Sequence, residues 1–324
     1  MHHLSPRRVT LPALAVPALA LSLLAAGCSS GDDSGDSSAS SGRSSGTASS
    51  SSSTTTPPPP PELPRGGREV FPRYRLFGYS GQPDAPGQGR LGIGDLDERV
   101  TEIEQRGKSW AFGREIMPTM ELIATVVHGS PGKDGMYRSH IPDEQVQEYL
   151  RVAKKHRAML LLNIQPGRAS FLDEAKYYER YLKEPNVGLA LDPEWAIGPG
   201  QRPGQVFGST TGQELDSVSA YVAQLVKAHD LPEKVIVVHQ LHIGIVQNQS
   251  VMKKRPGVVW VKSVDGIGSP GAKIDTWKAV TKGQPALLHG GFKIFYQEDA
   301  ESGPLITPKQ VMALRPLPEY VLYE

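Results

Sequence analysis

Residues 62–324 of this 324-residue chain are predicted to form one α/β domain, a (β/α)8 barrel of the TIM type. Three observations favour this fold. Short apolar runs alternate with amphipathic helical segments, the apolar runs number eight, and the domain ends on one of these runs. A doubly wound open sheet is the alternative, because it is built from the same alternation. Eight strands in a domain of about 260 residues favour the barrel.

The elements follow one another in a regular order. The predicted strands lie near Tyr74–Ser80, Glu115–Val127, Ala158–Gln165, Val187–Glu194, Val235–Leu241, Val258–Val264, Leu287–Tyr296 and Glu319–Tyr323. The predicted helices lie near Leu96–Gln105, Asp143–His156, Leu172–Leu182, Gly212–His229, Ser250–Lys254, Lys273–Val280 and Pro308–Leu314. No helix is predicted after Tyr323, so we expect an N-terminal segment or an open edge at that point of the barrel.

The N-terminus has the parts of a secretory signal peptide, which we predict over residues 1–27. Arg7 and Arg8 form a positive segment, and an apolar stretch runs from Leu11 to Ala26. Two prolines interrupt this short stretch, which disfavours a transmembrane helix. We therefore expect an extracytoplasmic protein.

The chain's single cysteine, Cys28, stands directly after these small residues. The segment Leu24-Ala25-Ala26-Gly27-Cys28 resembles the lipobox of bacterial lipoproteins, with Ala25 where leucine is commonest. The resemblance implies that Cys28 is acylated, for example with palmitate, and anchors the mature chain to the membrane of a bacterial cell envelope. A plain signal peptide followed by an unrelated cysteine is the alternative.

Residues 28–61 are predicted to form a disordered tether. Of the 33 residues at positions 29–61, 27 are Ser, Thr, Gly or Pro. Such a segment cannot bury enough apolar surface to offset the loss of chain entropy on folding. The tether would therefore hold the barrel away from the membrane.

Composition also excludes several classes of protein. A formal net charge of +1 argues against a nucleic-acid partner, because such binding depends on neutralising phosphates. One cysteine cannot form a disulfide within its own chain. The chain has no Gly-x-Ser-x-Gly elbow, which disfavours a serine hydrolase. It also has no phosphate-binding Walker motif. We expect a monomer with no cofactor and no resident metal.

Side-chain alternation along the fourth predicted strand points to a catalytic site. In Val187–Glu194 one face carries the bulky apolar residues, and the other carries Gly188, Ala190, Asp192 and Glu194. The small and acidic face is expected in the barrel lumen, with the acids at the C-terminal mouth where barrel enzymes keep their active sites. Two carboxyl groups this close raise one pKa, which suits a general acid.

The same alternation places further polar residues at the mouth. It turns Glu121, Asn163, Gln165 and Lys293 towards the lumen. Alternation does not decide which member of two pairs faces inward: His239 or Gln240 on the fifth strand, and Lys262 or Asp265 on the sixth. The candidate site therefore comprises the catalytic candidates Glu194, Asp192 and Glu121, and the binding candidates Asn163, Gln165, His239, Gln240, Asp265 and Lys293.

The run Val187–Glu194 resembles the fourth-strand signature Asp-Gly-x-Asp-x-Asp-x-Glu of family 18 glycoside hydrolases, the chitinase-like barrels. Asp192 and Glu194 match the last two acids, whereas Val187 and Ala190 replace the first two. The resemblance implies that Glu194 protonates the leaving oxygen and that Asp192 orients a substrate acetamido group, which acts as the nucleophile. The whole pattern also resembles bacterial lipoproteins with a barrel domain, a resemblance that implies no activity.

Three other functions remain open from the sequence. Glu194 and Glu121 could be the two carboxyl groups of a conventional glycosidase. A metal-dependent hydrolase or phosphodiesterase would use Glu121, Asp192, Glu194, Asp265 and His239 as ligands. A barrel that only binds a glycan or small ligand is the third, with Trp195 and Tyr137 as stacking residues. The sequence favours a cell-surface lipoprotein that acts on a wall or environmental glycan.

Overall fold

The computed structural model describes residues 59–324, in which eight parallel strands form a closed barrel. The strands are β1 (Tyr74–Gly81), β2 (Glu115–Val127), β3 (Met159–Ile164), β4 (Val187–Leu191), β5 (Lys234–Gln240), β6 (Val258–Val264), β7 (Leu288–Ile294) and β8 (Pro318–Tyr323). Each strand pairs with the next along the chain, and β1 closes the barrel by pairing with both β2 and β8. The predicted (β/α)8 fold is thereby confirmed. The predicted signal peptide, Cys28 and residues 28–58 of the predicted tether lie outside the described residues.

Helices connect most consecutive strands on the outside of the barrel. They are α1 (Leu96–Gly107), α2 (Asp143–Lys155), α3 (Phe171–Tyr177), α4 (Glu179–Leu182), α5 (Gly212–Ala228), α6 (Pro270–Thr281) and α7 (Pro308–Met312). Side chains of Asp95, Ser170, Thr211, Ser269 and Thr307 cap the first turns of five of them by accepting backbone N–H bonds. None of the helices in residues 59–324 is long and apolar enough to cross a membrane.

The helix predicted at Ser250–Lys254 is wrong. The chain makes only a short 3-10 turn at Gln249–Val251 before it enters β6. The residues after this turn include three consecutive cations followed by Pro256 and Gly257, which disfavour continuing a helix. Three short strands complete the structure: Arg138–His140 runs antiparallel to the end of β2, and Thr210–Thr211 pairs with Val246–Gln247.

Strand alternation divides the core into an inner and an outer layer, as predicted. Leu161 and Ala190 belong to the apolar cluster in the lumen, whereas Leu189 and Leu191 pack in the outer cluster with the helices. Gly188 lies on the inner face of β4, and a Cβ at this position would overlap the Val235 carbonyl oxygen. The small residues on β4 thus make room inside a closely packed barrel.

The segment before β1 closes the floor of the barrel. Leu63 and Val70 are buried in the lumen cluster. The Arg68 guanidinium donates hydrogen bonds to the carbonyl oxygens of Pro61 and Leu231, which ties the segment to the loop before β5. The N-terminal segment therefore fills the N-terminal end of the lumen and does not take the place of the eighth helix.

Aromatic side chains pack over the outer face of β8, after which no helix follows in residues 59–324. The Tyr323 ring lies 4.8 Å from that of Tyr296, 5.8 Å from that of Phe77 and 6.0 Å from that of Trp110, measured between centroids. Such ring pairs bury large apolar areas in favourable geometry. These rings supply the apolar packing that a following helix supplies at most of the other strands.

Candidate active site

A ring of polar side chains surrounds the C-terminal end of the lumen, and every strand contributes one of them. They are Ser80 from β1, Glu121 from β2, Asn163 from β3, Asp192 just after β4, His239 from β5, Asp265 just after β6, Lys293 from β7 and Glu324 just after β8. The strand ends converge here because all eight strands are parallel. This convergence brings together residues that are up to 244 positions apart in the chain.

His239 is the centre of the ring and is fully buried. Its Nδ1 lies 2.7 Å from Asp265 Oδ2. Its Nε2 lies 2.9 Å from Glu121 Oε1, off the axis of a linear hydrogen bond, and 3.9 Å from Asp192 Oδ1. Burial alone would lower the pKa of His239, but the three carboxylates raise it well above its ordinary value. The imidazole is therefore a cation at neutral pH.

Asp265 and Lys293 continue the ring with alternating charge. Burial would raise the pKa of Asp265, but the His239 and Lys293 cations, together with a hydrogen bond from Ser263, lower it to about 2. Lys293 Nζ lies 3.5 Å from Asp265 Oδ2 and 2.6 Å from Glu324 Oε2. Burial would lower the pKa of Lys293, but the Glu324 and Asp265 carboxylates raise it well above its ordinary value. Both groups therefore stay charged.

Glu324 completes this side of the ring. Its Oε2 accepts a hydrogen bond from Ser80 Oγ at 2.8 Å. Glu324 also lines a cavity of about 320 Å³ together with Gly89 and Arg90 of the loop after β1. The ring therefore borders open space on the β8–β1 side of the mouth.

Glu121 is a fully buried carboxylate with several fixed partners. Its Oε2 accepts a hydrogen bond from the Tyr320 hydroxyl at 2.9 Å, and its Oε1 accepts one from Asn163 Nδ2 at 3.2 Å. Burial would raise the pKa of Glu121, but the neighbouring His239 cation lowers it below the ordinary value. Glu121 is therefore ionised and held in place from three sides.

Among residues 59–324, neither Asp192 nor Glu194 has a Lys or Arg within ion-pair distance, and the pKa values of both carboxyl groups are raised. Burial raises the pKa of Asp192 to about 6, although its Oδ1 accepts a hydrogen bond from Asn163 Nδ2 at 3.1 Å. Burial, followed by the charges of Asp192 and Asp265, raises the pKa of Glu194 well above its ordinary value. Both shifts favour the protonated form, and the charge of Asp192 further favours a proton on Glu194.

The backbone at Glu194 differs from the predicted extended strand. β4 ends at Leu191, and Pro193–Trp195 form one turn of 3-10 helix. The prediction of a strand through Glu194 is therefore wrong, because the proline starts a turn in place of an extended backbone. The Gly208 N–H donates to the Glu194 carbonyl oxygen at 2.6 Å and fixes this turn.

Three buried side-chain atoms in this cluster have no hydrogen-bond partner among residues 59–324. They are Glu194 Oε2, Asn163 Oδ1 and His239 Nε2. Buried polar atoms are nearly always paired, so three such atoms at one place call for an explanation. They provide one donor from the protonated acid, one acceptor from the amide and one donor from the imidazolium.

Two predicted binding residues lie apart from this cluster. Gln240 faces the outside of β5, where its amide donates to the His242 carbonyl oxygen and accepts from Gln249. Gln165 is buried at the end of β3, and its Oε1 accepts from the Val127 N–H at 3.1 Å. Of the two pairs that the sequence left undecided, His239 on β5 and Asp265 after β6 are the members that face the lumen. Lys262 points outward and donates to the Val280 carbonyl oxygen.

Four members of the site were not among the candidates predicted from the sequence: Ser80, Ser263, Tyr320 and Glu324. Applying alternation to β1, β6 and β8 would have found them, since Tyr320 and Glu324 lie on the same face of β8 as Leu322, which is in the lumen cluster. In residues 59–324, no group of three or more His, Cys, Asp or Glu side chains is arranged to hold a metal ion.

No protein-family model and no curated protein matches this chain. The chain is similar to a solved structure described as a hyperthermophilic endo-β-1,4-glucanase in complex with substrate, with 12% sequence identity and a TM-score of 0.39. The match covers 76% of this chain and 87% of that chain. At this level of identity the likeness concerns the fold alone, and the resemblance to family 18 remains a prediction from eight residues.

The buried ring predicts unequal effects of two neighbouring substitutions on stability. Asp265→Asn removes the carboxylate that compensates His239 and Lys293, so the free energy of unfolding should fall by about 3–5 kcal/mol. Ser263→Ala removes one hydrogen bond to the same carboxylate and should lower it by only about 1 kcal/mol. Urea unfolding of both variants at pH 7, followed by circular dichroism, measures the difference. Equal losses would contradict the assigned charge balance.

Proposed function

We propose that this barrel is a glycoside hydrolase in which Glu194 is the general acid. The observation that carries the proposal is the Glu194 carboxyl group, with a buried Oε2 that has no partner among the described residues and a pKa raised well above its ordinary value. A general acid must keep its proton at neutral pH and must be free to donate it to the leaving oxygen. A carboxyl group that only maintained the fold would be paired.

Asp192 is proposed as the partner carboxylate of Glu194. Its pKa of about 6 leaves it mostly ionised at neutral pH, and Asn163 orients it through Oδ1. In a substrate-assisted reaction Asp192 would orient the substrate's acetamido group, which attacks the anomeric carbon. Glu121 is the alternative partner, but its burial and its bonds to Tyr320 and Asn163 suit a positioning role for Asn163 and His239.

The charge of the ring supports glycosidic chemistry. Five carboxyl groups (Glu121, Asp192, Glu194, Asp265 and Glu324) surround two cations, His239 and Lys293. Even with Glu194 protonated, carboxylates exceed cations. Glycoside hydrolysis develops positive charge on the sugar ring, and an excess of fixed negative charge stabilises that transition state. Asn163 and Lys293 would supply hydrogen bonds to the sugar, while we assign no substrate contact to Gln165 or Gln240.

We further propose that the protein is an extracytoplasmic lipoprotein attached to the cell membrane through Cys28, so that its glycan substrate belongs to the cell wall or the surroundings. The support is the sequence alone: a signal-peptide pattern, a single cysteine at a lipobox-like position and a following segment rich in Ser, Gly and Pro. The barrel would then act as a monomer at the end of its tether.

Lipidation can be tested directly on the intact cell. Cells that express the full chain and are fed radioactive palmitate should label the protein, and Cys28→Ser should remove the label and release the protein from the membrane fraction. Ser29→Ala, the neighbouring substitution, should leave both unchanged. Membrane attachment of Cys28→Ser without a label would contradict the proposed anchor.

Glu194→Gln tests the proposed catalytic acid. Because the amide keeps the shape but cannot donate the proton to the leaving oxygen, we expect kcat on a glycan substrate to fall by roughly 10²–10⁴-fold, with ligand affinity retained. The measurement is product release from a panel of β-linked oligosaccharides, together with calorimetric binding of the same sugars.

Glu148→Gln is the matched control, since Glu148 is an exposed glutamate on α2, outside the barrel. It should turn over substrate at the wild-type rate. Wild-type protein that binds sugars without releasing product would instead assign the barrel to binding alone, and activity lost on adding a chelator would favour a metal-dependent hydrolase.

The pH profile tests the role of Asp192. Because Asp192 acts ionised and its pKa is about 6, kcat/KM should rise as the pH increases through about 6 and fall again when Glu194 loses its proton. Asn163→Ala removes a donor to the Asp192 carboxylate and should move the acidic limb about one pH unit higher. Gln165→Ala, two residues further along the chain and bonded to the Val127 N–H, should leave that limb in place. An unmoved limb in Asn163→Ala would exclude Asp192 as its source.

A further inference from the structure

Exposed apolar side chains gather on the loops at the mouth of the barrel. Phe207 and Val206, in the loop between β4 and α5, are 67% and 41% exposed, and Ile243, after β5, is 68% exposed. These loops lie above the end of the lumen that holds the acid cluster. Exposed apolar patches on monomeric proteins commonly mark binding sites. The patch therefore extends the candidate site beyond the lumen.

Two aromatic rings lie at the centre of this patch. The Phe207 and His242 rings are 5.8 Å apart between centroids and meet edge to face, and both residues are exposed. His242 is fixed in place, because its Nδ1 accepts a hydrogen bond from the Gly244 N–H at 3.0 Å and its carbonyl oxygen accepts one from Gln240 at 3.1 Å. The pair therefore forms a preformed aromatic surface, which we call the Phe207–His242 platform.

The platform is joined to the proposed catalytic acid through the backbone. Gly208, next to Phe207, donates its N–H to the Glu194 carbonyl oxygen at 2.6 Å, and the Ser209 N–H donates to the Ala196 carbonyl oxygen at 3.1 Å. A side chain at Gly208 would overlap the Ala196 backbone, so this close approach requires glycine. Phe207 is thus held beside the turn that carries Glu194.

We propose that the Phe207–His242 platform is a carbohydrate subsite that binds the flat face of a β-1,4-linked glycan chain beyond the sugar at the scission point. This inference rests on the proposed glycosidase and specifies its substrate as an oligomer or polymer. Gluco-configured β-1,4-linked sugars place their hydroxyls at the edge of each ring and expose apolar C–H faces. Those faces stack on aromatic rings, while the hydroxyls remain available to polar groups such as Asn163 and Lys293.

The test measures binding separately from hydrolysis. Calorimetry with the full-length protein would titrate the β-1,4-linked hexasaccharides and disaccharides of glucose and of N-acetylglucosamine. Phe207→Ala should weaken binding of one hexasaccharide roughly fivefold to tenfold, the loss of one aromatic stacking contact, and change binding of its disaccharide little. Phe207→Trp should preserve or strengthen hexasaccharide binding.

Phe112→Ala is the matched control. Phe112 is 54% exposed in the loop before β2, at the opposite end of the barrel, and its removal should leave binding unchanged. Equal affinity of wild type and Phe207→Ala would overturn the platform, and so would the absence of hexasaccharide binding. Self-association that Phe207→Ala abolishes, without sugar binding, would assign the rings to a second copy of the chain. Platform-dependent binding without hydrolysis would support the subsite while contradicting the proposed glycosidase.

Discussion

The pairing of a buried His239 cation with surrounding carboxylates is the constraint on which the mouth of the barrel depends. His239 is fully buried, and no apolar environment tolerates an imidazolium without compensation. Asp265 supplies that compensation at 2.7 Å on one side, and Glu121 at 2.9 Å on the other. Lys293 in turn lies beside the Asp265 carboxylate, and the Tyr320 hydroxyl donates a hydrogen bond to Glu121. These contacts link β2 and β5 to β8.

This balance leaves two carboxyl groups under-compensated, and those two carry the proposed chemistry. Asp265 and Glu121 have the nearest cations, and their pKa values are lowered. Asp192 is 3.9 Å from His239, Glu194 has no ion-pair partner among residues 59–324, and both pKa values are raised. The same burial that would destabilise a carboxylate thus keeps a proton on Glu194. The proposed reactive pair, Asp192 and Glu194, is what remains after the other charges of the ring have neutralised one another.

Alternation of side chains predicted most of this site because a barrel strand repeats every two residues regardless of what surrounds it. Alternation correctly predicted that Glu121, Asn163 and Asp192 face the lumen. The structure shows that Asp265 and His239 also face the lumen, which the sequence had left undecided. Alternation could not anticipate the turn at Pro193, because the local preference of a proline overrides the strand period. It could not anticipate the aromatic packing over β8 either, since that packing depends on residues distant in sequence. Nor could it give distances between strands, which decide the charge balance.

The turn at Pro193 is also where fold and proposed function meet. An extended strand would keep Glu194 in line with Asp192 on the inner face, whereas the 3-10 turn lets the Glu194 main chain bind the loop that carries Phe207. The Gly208 contact requires the backbones to approach without a side chain between them. One local departure from regular strand geometry therefore sets both the position of the acid and the position of the aromatic ring above it. In the proposed glycosidase, a loop held to this turn would keep a bound chain in register with the bond to be broken.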